Sequence, residues 1–424
     1  MGIFQLTSPV LMLAFSLTCA GTQTAISRYT ASCMGLKNES LAHKFLLTGC
    51  VFSLSLSLLY SITVFCQAEN ISIYILQEER CAPLLRICAL SFPFSALHSC
   101  FNGYFYGKKE TRIPSFTQIT EQLVRVGSVF FLYHFFLHQN KFPNIALTCV
   151  GMILGESISF LISFIYYLTI CSVPRSVPVT VHNSIWKTSS KNVQTDYNLP
   201  QKNPHNDSMF FILKQLLTLS FPLTFNRVIV NLLQSYEAVS LPAKLREYGY
   251  SSESALSLYG VLTGMALSFV FFPSTFVHSV SVLLLPSVSE ASSARNHIGI
   301  KTTIQKSIFF SLTLGFGCTL FFLFFGSFCG NFLFGSSLAG KLICQLSFLC
   351  PFLYLHITLA SILNGLKKTQ TTLFINIFSL LLRLFFILSF VPSSGIKGYL
   401  WGLLLSELLS SLFCITALRN YFFS

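Results

Sequence analysis

SFPFSALHSCFNGYFYGKK (residues 91–109) and LCPFLYLHITLASILNGLK (residues 349–367) carry one pattern at one offset, 258 residues. The offset aligns Pro93 with Pro351, His98 with His356, Gly107 with Gly365 and Lys109 with Lys367, and further on it brings Arg125 to Arg383. An apolar chain produces chance Leu and Phe matches at any offset, but it does not bring five scarcer residue types into one register. Phe94/Phe352, Leu97/Leu355, Phe116/Phe374 and Leu123/Leu381 fill in between them. The chain therefore reads as one unit built twice. In a hydrophobic chain, internal duplication marks a transporter whose substrate pathway lies between two similar halves.

Composition sets the surroundings of that duplication. Of 424 residues 53% are hydrophobic, only 10% are charged and 45 are Phe, which excludes an ordinary soluble domain. A helix needs about 20 apolar residues to cross roughly 30 Å of hydrocarbon. Eleven stretches qualify, at 3–32, 43–66, 80–107, 113–137, 144–171, 208–236, 252–289, 307–328, 342–366, 369–391 and 398–418. The expected fold is an all-α integral membrane protein. Lys and Arg gather on alternate sides of these spans. One side holds sixteen, among them Lys108, Lys109, Arg112, Lys367 and Lys368, and the other holds six, together with Glu69, Glu78, Glu79, Glu247 and Glu253. Cationic loops stay inside, so the C-terminus of this multi-pass protein is expected in the cytoplasm and residue 1 outside. The net charge of +13 follows from this bias and from attraction to anionic headgroups, and no nucleic-acid partner is needed to explain it.

Both proline-containing spans run from outside to inside, so the halves are parallel repeats about an axis along the membrane normal. The expected organisation is an N-terminal lobe at 1–171, a polar cytoplasmic linker at 172–207 and a C-terminal lobe at 208–424. The linker is rich in Pro, Ser and Asn, the composition of a tether. The second half has six spans and the first has five, because nothing before residue 3 corresponds to 208–236. The first helix of a 6+6 design is thus expected to be missing, through a start assigned too late or a shortened chain. Residues 1–32 lack the basic region and cleavage site of a signal peptide.

Little in the sequence suggests catalysis. Asp occurs only at 196 and 207, both in the linker, and there is neither an HExxH-like cluster nor a Walker A loop. No catalytic residue, metal ligand or organic cofactor is expected, and transport would run on a gradient of H+ or Na+ or on the substrate's own disequilibrium. The fourteen Cys include no CxxC pair, and most lie within spans, where they pack as small hydrophobes.

Charges at mid-membrane are the positive signal, since each costs at least about 2.5 kcal/mol to insert unless paired or hydrated. Arg125, Glu156, Arg227, Arg383 and Glu407 lie near span centres, and Glu121 stands one turn before Arg125 on the same helix face. Glu156 and Glu407 recur in G-x-x-x-small-E, at an offset of 251 that a longer external loop would absorb. Two roles stay open for Glu121, Glu156 and Glu407: ion pairs within a lobe, with Glu156 on Arg125 and Glu407 on Arg383, or sites for a coupling ion. Arg227 has no acid near it along its helix, as expected of a cation that faces a wet cavity or grips an anion. Arg28, Arg125 and Arg383 are further candidate cavity cations, although Arg28 also suits inside anchoring. Pro93 and Pro351 are candidate hinges. His98 and His356, each five residues further on, are expected to keep the broken backbone polar company, or to carry protons.

LRICALSFPF (85–94), NGYFYGKK (102–109) and QITEQLVRV (118–126) resemble the stage V sporulation protein B branch of the polysaccharide exporters. FQLTSP (4–9), TAISR (24–28), LPAKL (241–245), LYGVLTGMAL (258–267) and LPSVSEA (285–291) agree in order and spacing. The resemblance implies the MOP superfamily, related to MATE exporters and lipid II flippases, with two six-helix lobes around a central cavity. It further implies flipping of an undecaprenyl-pyrophosphate-linked oligosaccharide or peptidoglycan precursor in cell-wall biogenesis or sporulation, by a monomer among membrane lipids. Three departures stand out: the missing first helix, the lack of two further helices common in that branch, and no Asp-Arg pattern around Tyr259–Gly264 like that of the principal lipid II flippases. Competing functions are a cation-coupled multidrug exporter of the same fold, with Glu156 or Glu407 facing the cavity, and a degenerate, non-transporting envelope protein.

Overall fold

The computed structural model describes residues 2–35, 38–139, 145–172, 209–293, 297–366 and 368–423. Among them there is no strand, and nine helices are long and apolar enough to cross a membrane. A tenth span arises if Glu79–Ala89 and Phe92–Gly107, bent by 48° at their junction, count as one. The stretch expected at 113–137 forms a helix of 27 residues, Arg112–His138, whose Arg112, Glu121 and Arg125 hold its apolarity below the others. The stretch 252–289 is interrupted: Ser252–Phe271 and Ser274–Ser293 meet at Pro273, which can donate no backbone hydrogen bond. Nearly all of the expected linker, from 173 to 207, lies outside the described residues, as does Lys367.

The packing is that of a bilayer protein. Large apolar side chains such as Phe210, Phe324 and Phe332 point outward, while small hydroxyl residues such as Ser53, Ser159, Ser311, Ser406 and Ser410 are buried between helices. Lipid is as apolar as leucine, so close approach and interhelical hydrogen bonds hold such helices together. Gly103 and Gly107 show the first device. A Cβ at either would come within about 2.6 Å of Gln23 or Ser27 carbonyl oxygens, so the Gly21–Gly35 helix can touch this one at its backbone. The cysteines described are free and mostly buried.

Contacts divide the chain into two compact units that do not follow the order of the sequence. One comprises Met1–Leu13, Gln67–Leu85 and Val228–Ser424, the other Ala14–Cys66 and Arg86–Arg227. The boundaries at 13/14 and 227/228 fall inside continuous helical stretches, because each long helix packs against different neighbours along its length. In the second unit the core gathers Ile26, Phe45, Phe101, Tyr104 and Leu216. The first is centred on Leu359, Ile362, Leu363, Ile375 and Cys414.

Both duplicated prolines open a new helical segment. Phe92–Gly107 begins around Pro93, and Cys350–Gly365 begins around Pro351 after a 3-10 turn at Ser347–Leu349. Lacking an N–H, each proline leaves the carbonyl four residues earlier without its helical donor. A hydroxyl from another helix replaces that donor. Ser61 Oγ donates to the Ala89 carbonyl at 2.6 Å, and Thr319 Oγ1 donates to the Ser347 carbonyl at 2.9 Å. Donors 61 and 319, acceptors 89 and 347, and prolines 93 and 351 all keep the 258-residue offset. His98 and His356, expected to attend these breaks, bond elsewhere. Ser61→Ala should cost about 1–3 kcal/mol by stranding a buried carbonyl, read as a lowered unfolding temperature in detergent, whereas Thr319→Val should cost less, because the Cys350 N–H also donates to the Ser347 carbonyl, and Thr319→Ser should stay close to wild type.

Candidate functional site

In the Ala14–Cys66 and Arg86–Arg227 unit, the ionisable residues predicted at mid-span converge. Arg125 Nη2 bonds Glu121 and lies 3.8 Å from Glu156 Oε1. His98 is buried beside them. Its Nε2 is 3.0 Å from Asn102 Nδ2 and 3.3 Å from Thr117 Oγ1, while Nδ1 is 3.7 Å from Glu156 Oε2 and 3.9 Å from Glu121 Oε2. The His98 ring thus lies between an amide and a hydroxyl on its Nε2 side and two carboxylates on its Nδ1 side. Asn102 Oδ1 is buried without a hydrogen-bond partner. No metal ligands are expected from the sequence, yet His98, Glu121 and Glu156 bring one potential ligand atom each to within 4.8 Å of one another.

The second cluster lies in the other unit. Glu407 accepts a hydrogen bond from His356 Nδ1 at 2.8 Å and another from Arg383 Nη2, and Arg383 Nε donates to Ser406 Oγ at 2.9 Å. Tyr399 donates to Glu237 Oε1 at 2.9 Å, and Glu237 acts electrostatically on Arg383. Each cluster thus combines one guanidinium, one imidazole and two carboxylates. The second carboxylate has different origins: Glu121 shares the Arg125 helix, whereas Glu237 comes from the Met209–Glu247 helix.

Asn102, Thr117, Ser406, Tyr399 and Glu237 are members that sequence reading missed. For two of them a signal existed: Asn102 is four residues after His98, and Thr117, Glu121 and Arg125 recur every four residues on one helix face. Glu237 gave none, since its partner Tyr399 is 162 residues away.

Known proteins agree with this architecture. Residues 1–130 match the MatE family. Stage V sporulation protein B of Bacillus subtilis (strain 168) is 25% identical over 404 residues, covering 94% of this chain and 73% of that protein. Sporulation protein YkvU of the same organism is 27% identical over 197 residues, 45% of this chain and 43% of that one. A MATE transporter in its inward-facing conformation superposes with a TM-score of 0.72 at 14% identity, covering 99% of this chain and 90% of the other. The N-terminal third of the chain is thus similar to the MatE family, and the fold is that of the solved MATE transporters. A MOP superfamily transporter from Pyrococcus furiosus, described as having a binding pocket of reverse polarity, superposes with a TM-score of 0.66 at 15% identity over 99% of this chain and 87% of the other.

Not all of the expected cations converge. Arg125 and Arg383 are engaged by carboxylates, whereas the Arg28 and Arg227 side chains are exposed. Tyr29 donates to the Gln215 carbonyl at 3.1 Å, and Gly21 packs on Ser220 and Thr224, so their helices run antiparallel. Arg28 therefore lies level with Gln215, and Arg227 is twelve residues, about 18 Å, along the same helix. Pairing also ranks the two engaged arginines. The Glu407 side chain is 4% exposed, so Arg383→Ala strands a buried charge and should cost about 3–5 kcal/mol. Arg125→Ala should cost distinctly less, because 32% of that side chain is exposed and Glu156 keeps His98 nearby. Thermal unfolding in detergent measures both, and equal losses would contradict the ranking.

Proposed function

We propose that this chain is a MOP-superfamily transporter, an alternating-access flippase for an undecaprenyl-pyrophosphate-linked oligosaccharide or peptidoglycan precursor. One contrast carries the reading. The mid-span carboxylates Glu121, Glu156 and Glu407 are buried or nearly so, whereas Arg227, midway along a 39-residue apolar helix, is exposed. An accessible guanidinium within hydrocarbon suits a phosphorylated headgroup, which it can grip through two parallel hydrogen bonds, and it repels cationic drugs. Similarity to stage V sporulation protein B along 94% of the chain is in keeping with such a substrate.

In this reading the sequence repeats 1–171 and 208–424 rock against each other in the cytoplasmic membrane with the C-terminus inside, and Pro93 and Pro351 act as bending points. The ligand shifts the balance between two arrangements by binding one of them better. The two acid-rich clusters give a place for H+ or Na+ coupling, which is also the feature that favours the second reading, a cation-coupled multidrug exporter.

In proteoliposomes, Arg227→Ala should reduce flipping of a fluorescent undecaprenyl-pyrophosphate-linked sugar by at least about tenfold, with partial recovery in Arg227→Lys. Flipping at the wild-type rate would remove Arg227 from the substrate path. Coupling is tested on the same vesicles. An imposed pH or Na+ gradient should accelerate flipping in the wild type and lose that effect in Glu156→Gln, whereas efflux of cationic dyes with no lipid flipping would select the exporter reading.

A further inference from the structure

An open groove of about 790 Å³ lies in the Val228–Ser424 part of the first unit, at the Pro351 break. Its floor includes Thr319, Leu349, Pro351 and Phe352, and its wall is the Ile396–Phe423 helix from Lys397 to Leu408. Nearly all of the lining is apolar. Four polar side chains interrupt it: Thr319, buried on the floor with its hydroxyl bonded to the Ser347 carbonyl, and Gln345, Lys397 and Trp401, which are exposed. Lys397 and Trp401 are one turn apart on one helix face, and no carboxylate lines the groove. The mouth thus offers an ammonium, an indole N–H and an amide, while the interior offers hydrocarbon and one engaged hydroxyl.

Length and repeat symmetry narrow the occupant. Lys397 to Leu408 is eleven residues, about 16 Å of helix, close to half of a hydrocarbon core roughly 30 Å thick. That matches one acyl chain descending from a phosphate at the interface, and a polyprenyl tail is several times too long for it. The polar mouth is also not a requirement of the fold. At the offset of 251 that aligns Glu407 with Glu156, Lys397 corresponds to Ala146 and Trp401 to Val150, and at 258 Gln345 corresponds to Ile87. The hydroxyl-to-carbonyl bond at the proline break is duplicated, but this mouth is not.

We infer that the groove is a binding site for an anionic glycerophospholipid, with its phosphate at Lys397 and Trp401 and one acyl chain along Leu404 and Leu408 against the Pro351 break. The ligand belongs to the membrane, and the site does not depend on which substrate is flipped. A chain lying there braces the segment where Thr319 meets the Ser347 carbonyl, so lipid composition bears on the stability of this break.

Trp401 supplies the probe, because the sequence has only one other tryptophan, Trp186. The full chain carrying Trp186→Phe is reconstituted with phospholipids brominated on the acyl chains. Brominated phosphatidylglycerol should quench Trp401 with about fivefold preference over brominated phosphatidylcholine, the effect of one cation on an anionic lipid. Lys397→Ala should abolish the preference and Lys397→Arg should keep it, with unfolding temperatures of both variants confirming an intact fold. Equal quenching by the two lipids, or a preference that survives Lys397→Ala, would overturn the proposal. Displacement of phosphatidylglycerol by an equal mole fraction of polyprenyl phosphate would overturn it as well, in favour of the tail of a transported lipid.

Discussion

A single hydrogen bond, made twice, is the constraint on which the rest of the structure hangs. Proline in a membrane helix creates two problems at once: a carbonyl without its donor, and no water in the hydrocarbon to replace it. Ser61 and Thr319 solve both at the same place in each repeat by donating to Ala89 and Ser347. Each bond ties a broken helix to a neighbouring one, so the bend is held in a definite place. Beyond each break the new segment carries the histidine of a polar cluster. The break therefore also fixes where His98 and His356 point.

The sequence disclosed this fold to unequal depth. Spans and duplication were legible because bilayer thickness forces long apolar runs and because prolines, glycines and charges are scarce enough to register an offset. The bend at 90–91 was legible only as a proline, since its angle depends on packing. Ser61 and Thr319 passed unnoticed although they obey the same offset, because hydroxyl residues are common in this chain and nothing local marks which one will meet a freed carbonyl. The same limit applied to the site. Glu121 with Arg125 could be read at helical spacing, and Glu407 with Arg383 through the repeat, but Glu237 with Tyr399 joins helices far apart in sequence. Such pairs are fixed by tertiary contact alone.

Comparison of the two clusters shows what the duplication has retained and what it has not. Arginine, histidine and one glutamate persist in both. Around them Asn102, Thr117 and Glu121 align with Ala360, Ile375 and Ser379, so the second repeat has lost that amide, that hydroxyl and that acid. A second acid is nonetheless present there, brought by Glu237 from another helix. The second acid of that unit thus comes from the Met209–Glu247 helix and not from the repeat.

The clusters also separate two kinds of cation. Arg125 and Arg383 sit inside such clusters, where their charge is matched and where they govern how the carboxylates behave. Arg227 differs from both, since its side chain is exposed. A guanidinium exposed in the middle of an apolar helix is costly in lipid and tolerable in water or against an anion. Carboxylates thus engage Arg125 and Arg383, while the Arg227 guanidinium stays accessible to water or to an anion.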